Sequence, residues 1–459
     1  MQFELLDQCP VAWQAKLNPS LIAIETESQK ITFAELHGYI SHLSTQLIKL
    51  NMKTGDRLVS ISSNNLPAVL LQLTCLRHGF VFCPLNPKFS PTELEQRLKR
   101  LNSPFIYQEN SSSHLALSFS HATTVLANKQ IFKIDPFAII SIIFTSGSSG
   151  LPKAVMHHFS NHYYSALGSQ TVIPLDQGDK NLLSLPLFHI SGYATVIRTL
   201  LAGATLKISN NKVNIQGLKK DKITHLSLVN AQLQMLLQEQ AFQQVNLSIK
   251  HLLLGGSAFS EKLLQTTKKR GFTYHLSYGS TEMASQIATS TNSNDLKLLP
   301  YRLLKIVAGE IHLSGETRFT GYFTGDINNS LIDKNSYFAS ADLGKLKQKT
   351  VKIMGRKDRL FISGGENIQP EEIEKVLLGY AEVQQAVVLP IDDAIYGQRP
   401  IAFIRWKEAE QVRQLQAFIG DKLVSYKQPC HYFILPESQG IKPNLKDLTS
   451  IALKLLFVN

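Results

Sequence analysis

The chain has 459 residues, 44% hydrophobic and 18% charged, a globular composition rather than a disordered one and a length that implies two or more domains. Its 47 Lys+Arg against 35 Asp+Glu leave a formal charge of +12. The signs balance from Arg356 to Asn459, so the excess lies upstream and suits anionic ligands, while no basic run or recognition motif points to nucleic acid. Cys9, Cys75, Cys83 and Cys430 form no C-x-x-C pair, which argues against zinc and against a disulfide framework. Met1 to Leu21 lacks the apolar core of a signal peptide, and no apolar run approaches the ~18 residues needed to span a bilayer. A reduced cytoplasm is the expected location.

In chain order, Arg57 to Ser62 and Phe80 to Cys83 read as strands. Ser90-Pro-Thr-Glu93 is a capping box with proline at the first helical position, predicting a helix through about Leu101. Ser111 to Ser113 is polar enough for a surface loop. The apolar run Phe137 to Phe144 predicts a buried strand, followed by Thr145-Ser146-Gly147-Ser148-Ser149-Gly150-Leu-Pro-Lys153. Such a loop leaves backbone N–H groups free to surround phosphate oxygens, with Lys153 supplying a positive charge; a plain Gly/Ser turn is the competing reading. It is not a Walker loop, since Leu151 and Pro152 separate Gly150 from Lys153. Neither G-x-G-x-x-G nor G-x-S-x-G occurs in the chain.

Further on, Leu185-Pro-Leu-Phe-His-Ile-Ser-Gly192 places an aromatic and a histidine before a small-residue bend. Leu226 to Val229 reads as a strand, and Leu252-Leu-Leu-Gly-Gly-Ser257 as a strand running into a glycine pair. Tyr274 to Tyr278 is another, leading into Tyr278-Gly-Ser-Thr-Glu282, and Thr289 to Asn294 reads as a surface loop. Phe338-Ala-Ser-Ala-Asp-Leu-Gly344 and Gly355-Arg-Lys-Asp358 precede a predicted domain boundary near Gly355 to Arg359. Beyond it come Ile362-Ser-Gly-Gly-Glu-Asn-Ile-Gln-Pro-Glu-Glu372, a helix over Pro370 to Leu378, strands over Ala386 to Leu389 and Ile401 to Trp406, a helix over Val412 to Leu423, and Gly440-Ile-Lys442. The expected fold is α/β: a large domain over 1–355 with mostly parallel sheets flanked by helices, and a small mobile α+β domain over 356–459.

These motifs, in this order from about Thr32 to Lys446, resemble the adenylate-forming superfamily of acyl-CoA synthetases, adenylation domains and luciferases. Phe80-Val-Phe-Cys-Pro-Leu-Asn-Pro87 is similar to an early strand-turn motif of that family. Within it the chain looks most like the o-succinylbenzoate–CoA ligases of menaquinone biosynthesis, through its length, Phe188-His-Ile-Ser-Gly192 followed by Arg198, and Gly364-Gly-Glu-Asn-Ile-Gln-Pro370. The resemblance implies an ATP- and Mg²⁺-dependent ligase that makes an acyl-adenylate and passes the acyl group to coenzyme A. The family chemistry crowds negative charges together, so positioning and electrostatic stabilisation should dominate.

The resemblance also implies residue roles. Thr145, Ser146, Gly147, Ser148, Ser149, Gly150 and Lys153 would hold the β- and γ-phosphates. Gly255, Gly256 and Ser257 would let backbone approach the base. Tyr278 would lie against adenine, with Gly279 and Ser280 in the same site, Thr281 on phosphate and Glu282 on Mg²⁺. Asp342 would accept from the ribose hydroxyls, with Arg356 beside them. Lys442 would bridge the substrate carboxylate and the α-phosphate, completing a catalytic set with Thr145, His189 and Glu282. Asp358 matches the hinge position, and Ser363, Gly364 and Gly365 would face the pantetheine arm. Arg198 and Ser191 would meet the aromatic carboxylate of the acid; a surface-helix arginine is the competing reading. His189 reads either as a hydrogen-bonded core residue or as a group between the acyl pocket and the thiol channel. The chain departs from the family pattern in three places: Ser149 stands where threonine is commoner, Ser340 and Ala341 where arginine and glycine are usual, and Asn230 and Ala231 where proline is frequent. Other functions compatible with these motifs are a CoA ligase for another aryl or fatty acid, a stand-alone adenylation domain, and a non-catalytic nucleotide-binding protein.

Overall fold

A computed structural model describes residues 6–111, 114–120, 132–145, 152–209, 211–239, 247–257, 259–327, 331–333, 335–437 and 443–457. Three sheets organise them. In the first, a parallel half runs through Ile22–Glu25, Thr205–Lys207, Lys180–Leu182, His225–Leu228, His251–Gly255 and Tyr274–Ser280. Its antiparallel half continues through Ser285–Thr291, Leu296–Leu298, Thr350–Arg356, Phe338–Lys347, Glu310–Ser314 and Leu303–Val307. The second sheet sets Arg57–Ile61 and Val81–Leu85 beside Ile139–Phe144, all parallel, and then turns antiparallel at Ala154–His158 and Gly321–Tyr322.

Helices Phe33–Lys49, Leu66–His78, Phe159–Gln170 and Ile190–Leu201 contribute most of the largest apolar core. Leu66–His78 is buried around most of its circumference, as expected of a helix covered on several sides. Local chemistry sets the boundaries. Ser90 accepts from the Glu93 backbone while the Glu93 side chain returns to Ser90, and Asn102 closes the helix Pro91–Leu101 in the left-handed region, which asparagine tolerates.

Residues from Phe361 onward build the third sheet, Glu366–Ile368, Phe361–Ser363, Gly397–Trp406 and Val383–Asp393 with Tyr432–Ile434, which packs with Pro370–Leu377 and Val412–Gly420 around its own core. The result is a mixed α/β molecule with a large N-terminal sheet domain and a small C-terminal one. Between them, Arg356 pairs back to Asp342 of the large sheet, whereas Arg359 pairs forward to Glu371 and Glu374.

The expected surface loop Thr289 to Asn294 is strand over its first three residues and a bend over the rest. Thr289, Ser290 and Thr291 end the strand Ser285–Thr291, and Thr289 and Ser290 are only 2% and 3% exposed. Gln286 Nε2 donates to Thr289 Oγ1 at 3.1 Å and Ser290 Oγ donates to the Ser293 carbonyl at 2.6 Å, so these hydroxyls need no solvent. The strands Val383–Asp393 and Gly397–Trp406 are also longer than their apolar centres suggest, because pairing continues through the polar residues as far as Asp393 and Gly397.

Candidate active site

The parallel strands His225–Leu228, His251–Gly255 and Tyr274–Ser280 lie side by side, and the residues that carry chemistry cluster at their carboxyl ends, where open α/β sheets usually take ligands. Gly255 pairs beside Ser277, and a Cβ there would come within 3.4 Å of the Ser277 carbonyl. Gly256 follows at φ +83°, a left-handed turn that suits glycine. Ser257 is exposed beyond it. The strand Tyr274–Ser280 then delivers its residues in sequence. At Gly279 a side chain would strike the Ser285 carbonyl at 2.1 Å. Ser280 Oγ is buried without a hydrogen bond among the described residues.

Tyr278, Asp342, Arg356 and Asp358 form one hydrogen-bonded chain. The Tyr278 hydroxyl donates to Asp342 Oδ2 at 2.6 Å, Arg356 Nη1 donates to Asp342 Oδ1 at 3.2 Å, and Arg356 Nε and Nη2 grip Asp358 at 3.0 and 2.7 Å. Burial raises the Asp342 carboxyl above the usual range, the Tyr278 and Arg356 bonds opposing it. Burial and the Asp342 charge raise the Tyr278 phenol, and the Asp358 bond, opposed by burial, raises Arg356. The family departure at Ala341 is accommodated in the backbone: Ala341 takes φ +60°, a left-handed conformation that costs an alanine roughly 1 kcal/mol. Its N–H donates to Glu310 Oε1 at 3.0 Å.

A second group gathers where the two large sheets meet. Thr145 N donates to the Lys153 carbonyl at 2.9 Å and Lys153 N to Thr145 Oγ1 at 3.3 Å, so the ends of the Gly/Ser loop are pinched together. Ser146, Gly147, Ser148, Ser149 and Gly150 lie outside the described residues, as does Lys442. Lys153 Nζ stands 4.8 Å from the centre of the Tyr322 ring, and the Tyr322 hydroxyl donates to Glu282 Oε1 at 3.0 Å. Thr281 and Glu282 sit in a single 3₁₀ turn. His157 Nε2 holds the Thr281 carbonyl at 2.8 Å, which fixes the tautomer with the proton on Nε2. Burial lowers His157 to about 4.

The third group surrounds the helix Ile190–Leu201. His189 is its N-cap residue, with its N–H on the Pro186 carbonyl at 3.0 Å. Gly192 is required there, because a Cβ would lie 2.1 Å from that carbonyl. Ser191 accepts from Thr195 Oγ1 through its own carbonyl at 2.8 Å. Arg198 is not a surface-helix residue. Its Nη2 donates to Thr195 Oγ1 at 2.6 Å and to Ser227 Oγ at 3.1 Å, and burial lowers it to about 10.

Ser363, Gly364 and Gly365 lie apart from these groups. Gly364 and Gly365, at φ +57° and +87°, form the two-residue turn between Phe361–Ser363 and Glu366–Ile368, the geometry of a type I′ hairpin. Gly364 N donates to the Tyr396 carbonyl at 2.8 Å. Tyr322, His157 and Arg100 are the residues that motif reading passed over. Tyr322 lies 40 positions beyond Glu282, in a Thr-Gly-Tyr segment that carries no charge to draw attention.

Two family models match the chain: AMP-binding enzyme over residues 11–323 and AMP-binding enzyme C-terminal domain over residues 372–439. The chain is 33% identical over 430 residues to the 2-succinylbenzoate–CoA ligase of Salmonella typhimurium, covering 92% of each chain. It is 32% identical over 428 residues to the Escherichia coli protein of the same name, covering 92% of this chain and 93% of that one. Among solved structures, an E. coli MenE variant with bound OSB-AMS superposes with a TM-score of 0.84 at 29% identity, over 98% of this chain and 99% of that one. The Bacillus subtilis o-succinylbenzoate CoA synthetase in complex with the acyl-adenylate intermediate OSB-AMP gives 0.84 at 27% identity, over 96% and 98%. With both models matched in order and relatives aligned along 92% of its length, the chain belongs to the AMP-binding enzyme family.

Proposed function

We propose that the protein is an AMP-forming acid–thiol ligase that joins 2-succinylbenzoate to coenzyme A, a step of menaquinone biosynthesis. The observation that carries this choice of acid is Arg198. Its guanidinium is part-buried and hydrogen-bonded to two neutral hydroxyls, burial lowers its pKa, and no carboxylate pairs with it among the described residues. A buried cation without a counter-ion costs several kcal/mol. The aromatic carboxylate of 2-succinylbenzoate would supply that counter-ion while its succinyl carboxylate stays free to react. Relatives carrying the name 2-succinylbenzoate–CoA ligase and structures holding its adenylate support the same reading.

In the first step an oxygen of the succinyl carboxylate attacks the α-phosphorus of ATP, and pyrophosphate leaves. In the second, the thiol of coenzyme A attacks the acyl carbon, loses its proton, and AMP leaves with the bridging oxygen. In our reading, Thr145, the loop residues 146–150 and Lys153 hold the phosphates, with Thr281 beside them. Gly255, Gly256 and Ser257 border the base, Tyr278 lies against it, and Gly279 and Ser280 complete its wall. The Asp342 carboxylate keeps lone pairs for the ribose hydroxyls, with Arg356 alongside. His189 and Ser191 line the acid. Lys442 neutralises the charge that builds up as carboxylate and α-phosphate approach.

The donor set fits magnesium. No group of three or more His, Cys, Asp or Glu able to hold a metal occurs among the described residues, and Mg²⁺ commonly binds through one or two carboxylates plus substrate phosphates. Glu282 is the carboxylate we assign. When bound, the ion neutralises phosphate charge.

We place the domain boundary between Gly355 and Arg356, with the hinge at Asp358. The Ser363–Gly365 turn is assigned to the pantetheine arm after the small domain has rotated. No helix among the described residues is long and apolar enough to cross a membrane. With Cys9, Cys75, Cys83 and Cys430 all free, the cytoplasm is the proposed setting.

The test is a panel of acids with Mg·ATP and coenzyme A. Thioester should form from 2-succinylbenzoate with kcat/KM at least about 100-fold above benzoate or a medium-chain fatty acid. Equal use of a fatty acid, or AMP formation without consumption of coenzyme A, overturns the assignment.

A further inference from the structure

We infer that Tyr322 is a positioning residue for the metal–phosphate end of the site: its hydroxyl aims the Glu282 carboxylate and its ring seats the Lys153 ammonium. The inference rests on the reading above and extends it to a residue outside the assigned set.

Tyr322 belongs to the two-residue strand Gly321–Tyr322, paired antiparallel with Ala154–His158 through Gly321 with Met156 and Tyr322 with Val155. So short a strand needs other anchors, and it has them. Phe323 N donates to the Ala154 carbonyl at 2.8 Å. From the helix Pro91–Leu101, Arg100 sends Nε and Nη2 to the Phe323 carbonyl at 3.0 and 2.7 Å, and Nη1 to the Pro152 carbonyl at 2.8 Å. One guanidinium therefore staples the exit of the Gly/Ser loop to the residue following Tyr322. The ring is wedged against Phe319 at 4.8 Å between centroids.

The group it addresses is held just as firmly. Phe319 N donates to the Glu282 carbonyl at 2.7 Å, and His157 holds the Thr281 carbonyl. The Glu282 backbone is thus fixed, and the Tyr322 hydroxyl on Oε1 selects the carboxylate rotamer, with no bond to Oε2 among the described residues. A carboxylate oriented in this way by a neutral donor is the usual outer-shell support of a metal ligand, whose loss typically costs 10–100-fold in metal affinity or activity. Lys153, 4.8 Å from the ring centre, gains a cation–π contact that holds its long side chain on the same side. Two opposite charges that must meet one polyphosphate are thereby set by two parts of a single side chain. The competing account is packing alone, with the phenol taking Glu282 as a convenient acceptor.

Calorimetric titration of Tyr322→Phe without acid separates the two accounts without turnover. We expect Mg·ATP to bind about 10-fold more weakly than to wild type, metal-free AMP to bind within about twofold, and the ligand-free melting temperature to stay within a few degrees. Because Tyr322 acts through Glu282, Tyr322→Phe combined with Glu282→Gln should bind Mg·ATP no more weakly than Glu282→Gln alone. Unchanged Mg·ATP affinity, equal weakening of AMP and Mg·ATP, or additive losses in the double variant would overturn the inference. A wild-type protein that binds no Mg·ATP overturns the functional reading itself; a binding wild type with an indifferent Tyr322→Phe overturns only this one.

Discussion

Arg198 and Asp342 both carry charge in part-buried positions, and they resolve it differently. Asp342 is surrounded by donors, Tyr278 and Arg356, that compensate its burial. Among the described residues Arg198 has hydroxyl oxygens alone, and in the proposed reading a ligand anion supplies the missing counter-charge. Arg198→Leu should raise the KM for 2-succinylbenzoate about 10- to 100-fold, equivalent to roughly 1.4–2.8 kcal/mol, and leave the KM for ATP unchanged. An unchanged KM for the acid, measured by pyrophosphate release, would remove Arg198 from the acid site. At this scale, sequence motifs picked out Tyr278, Asp342 and Arg356, which the structure joins in one hydrogen-bonded chain, and Glu282, which it places beside Tyr322. They did not reveal Tyr322 or His157. Tyr322 meets Glu282 only through the contact of two sheets, and His157 acts on a backbone carbonyl, an interaction with no sequence signature.

Three parallel strands carry a ladder of histidines near their amino-terminal ends. His225, His251 and His275 sit with ring centres 5.1 Å apart at each step, and His251 Nδ1 meets His275 Nε2 at 2.9 Å. Burial pushes His225 and His275 down to about 4 and lowers His251 as well. The His225 and His275 rings are neutral in the folded protein and gain protons on unfolding near pH 5–6. Their contribution is therefore fully present above the unfolded value near 6.5 and is lost as pH falls toward 4. Urea unfolding at about pH 7 and about pH 5.5 should differ by on the order of 1 kcal/mol for each such histidine; equal unfolding free energies would contradict the ladder's neutrality. Element boundaries were legible where side chains cap the backbone, as at Ser90 and Glu93. They were obscured at Thr289 and Ser290, whose polarity suggested a loop while hydrogen bonds inside the sheet allowed burial.

At the level of the whole molecule, two large sheets carry the residues proposed for the nucleotide and the acid, and the small third sheet carries the Ser363–Gly365 turn. The small domain touches the large one at a distance from that turn, with Gln234 Nε2 on the Gln384 carbonyl at 3.1 Å. The order of motifs made this division legible, since the last ones fall in a segment with its own helices and strands. The angle between domains depends on contacts such as Gln234 to Gln384, which no local pattern encodes. Lys442→Ala should lower adenylation at least about 100-fold while changing thioester formation from preformed adenylate only a few-fold; comparable losses in both would refute the assignment of this lysine to the first step. The most direct test of the chemistry follows the oxygen. With 2-succinylbenzoate labelled by ¹⁸O in its succinyl carboxylate, attack on the α-phosphorus predicts AMP carrying one ¹⁸O and a thioester retaining the other, whereas unlabelled AMP, or ADP and phosphate in its place, would contradict an acyl-adenylate route.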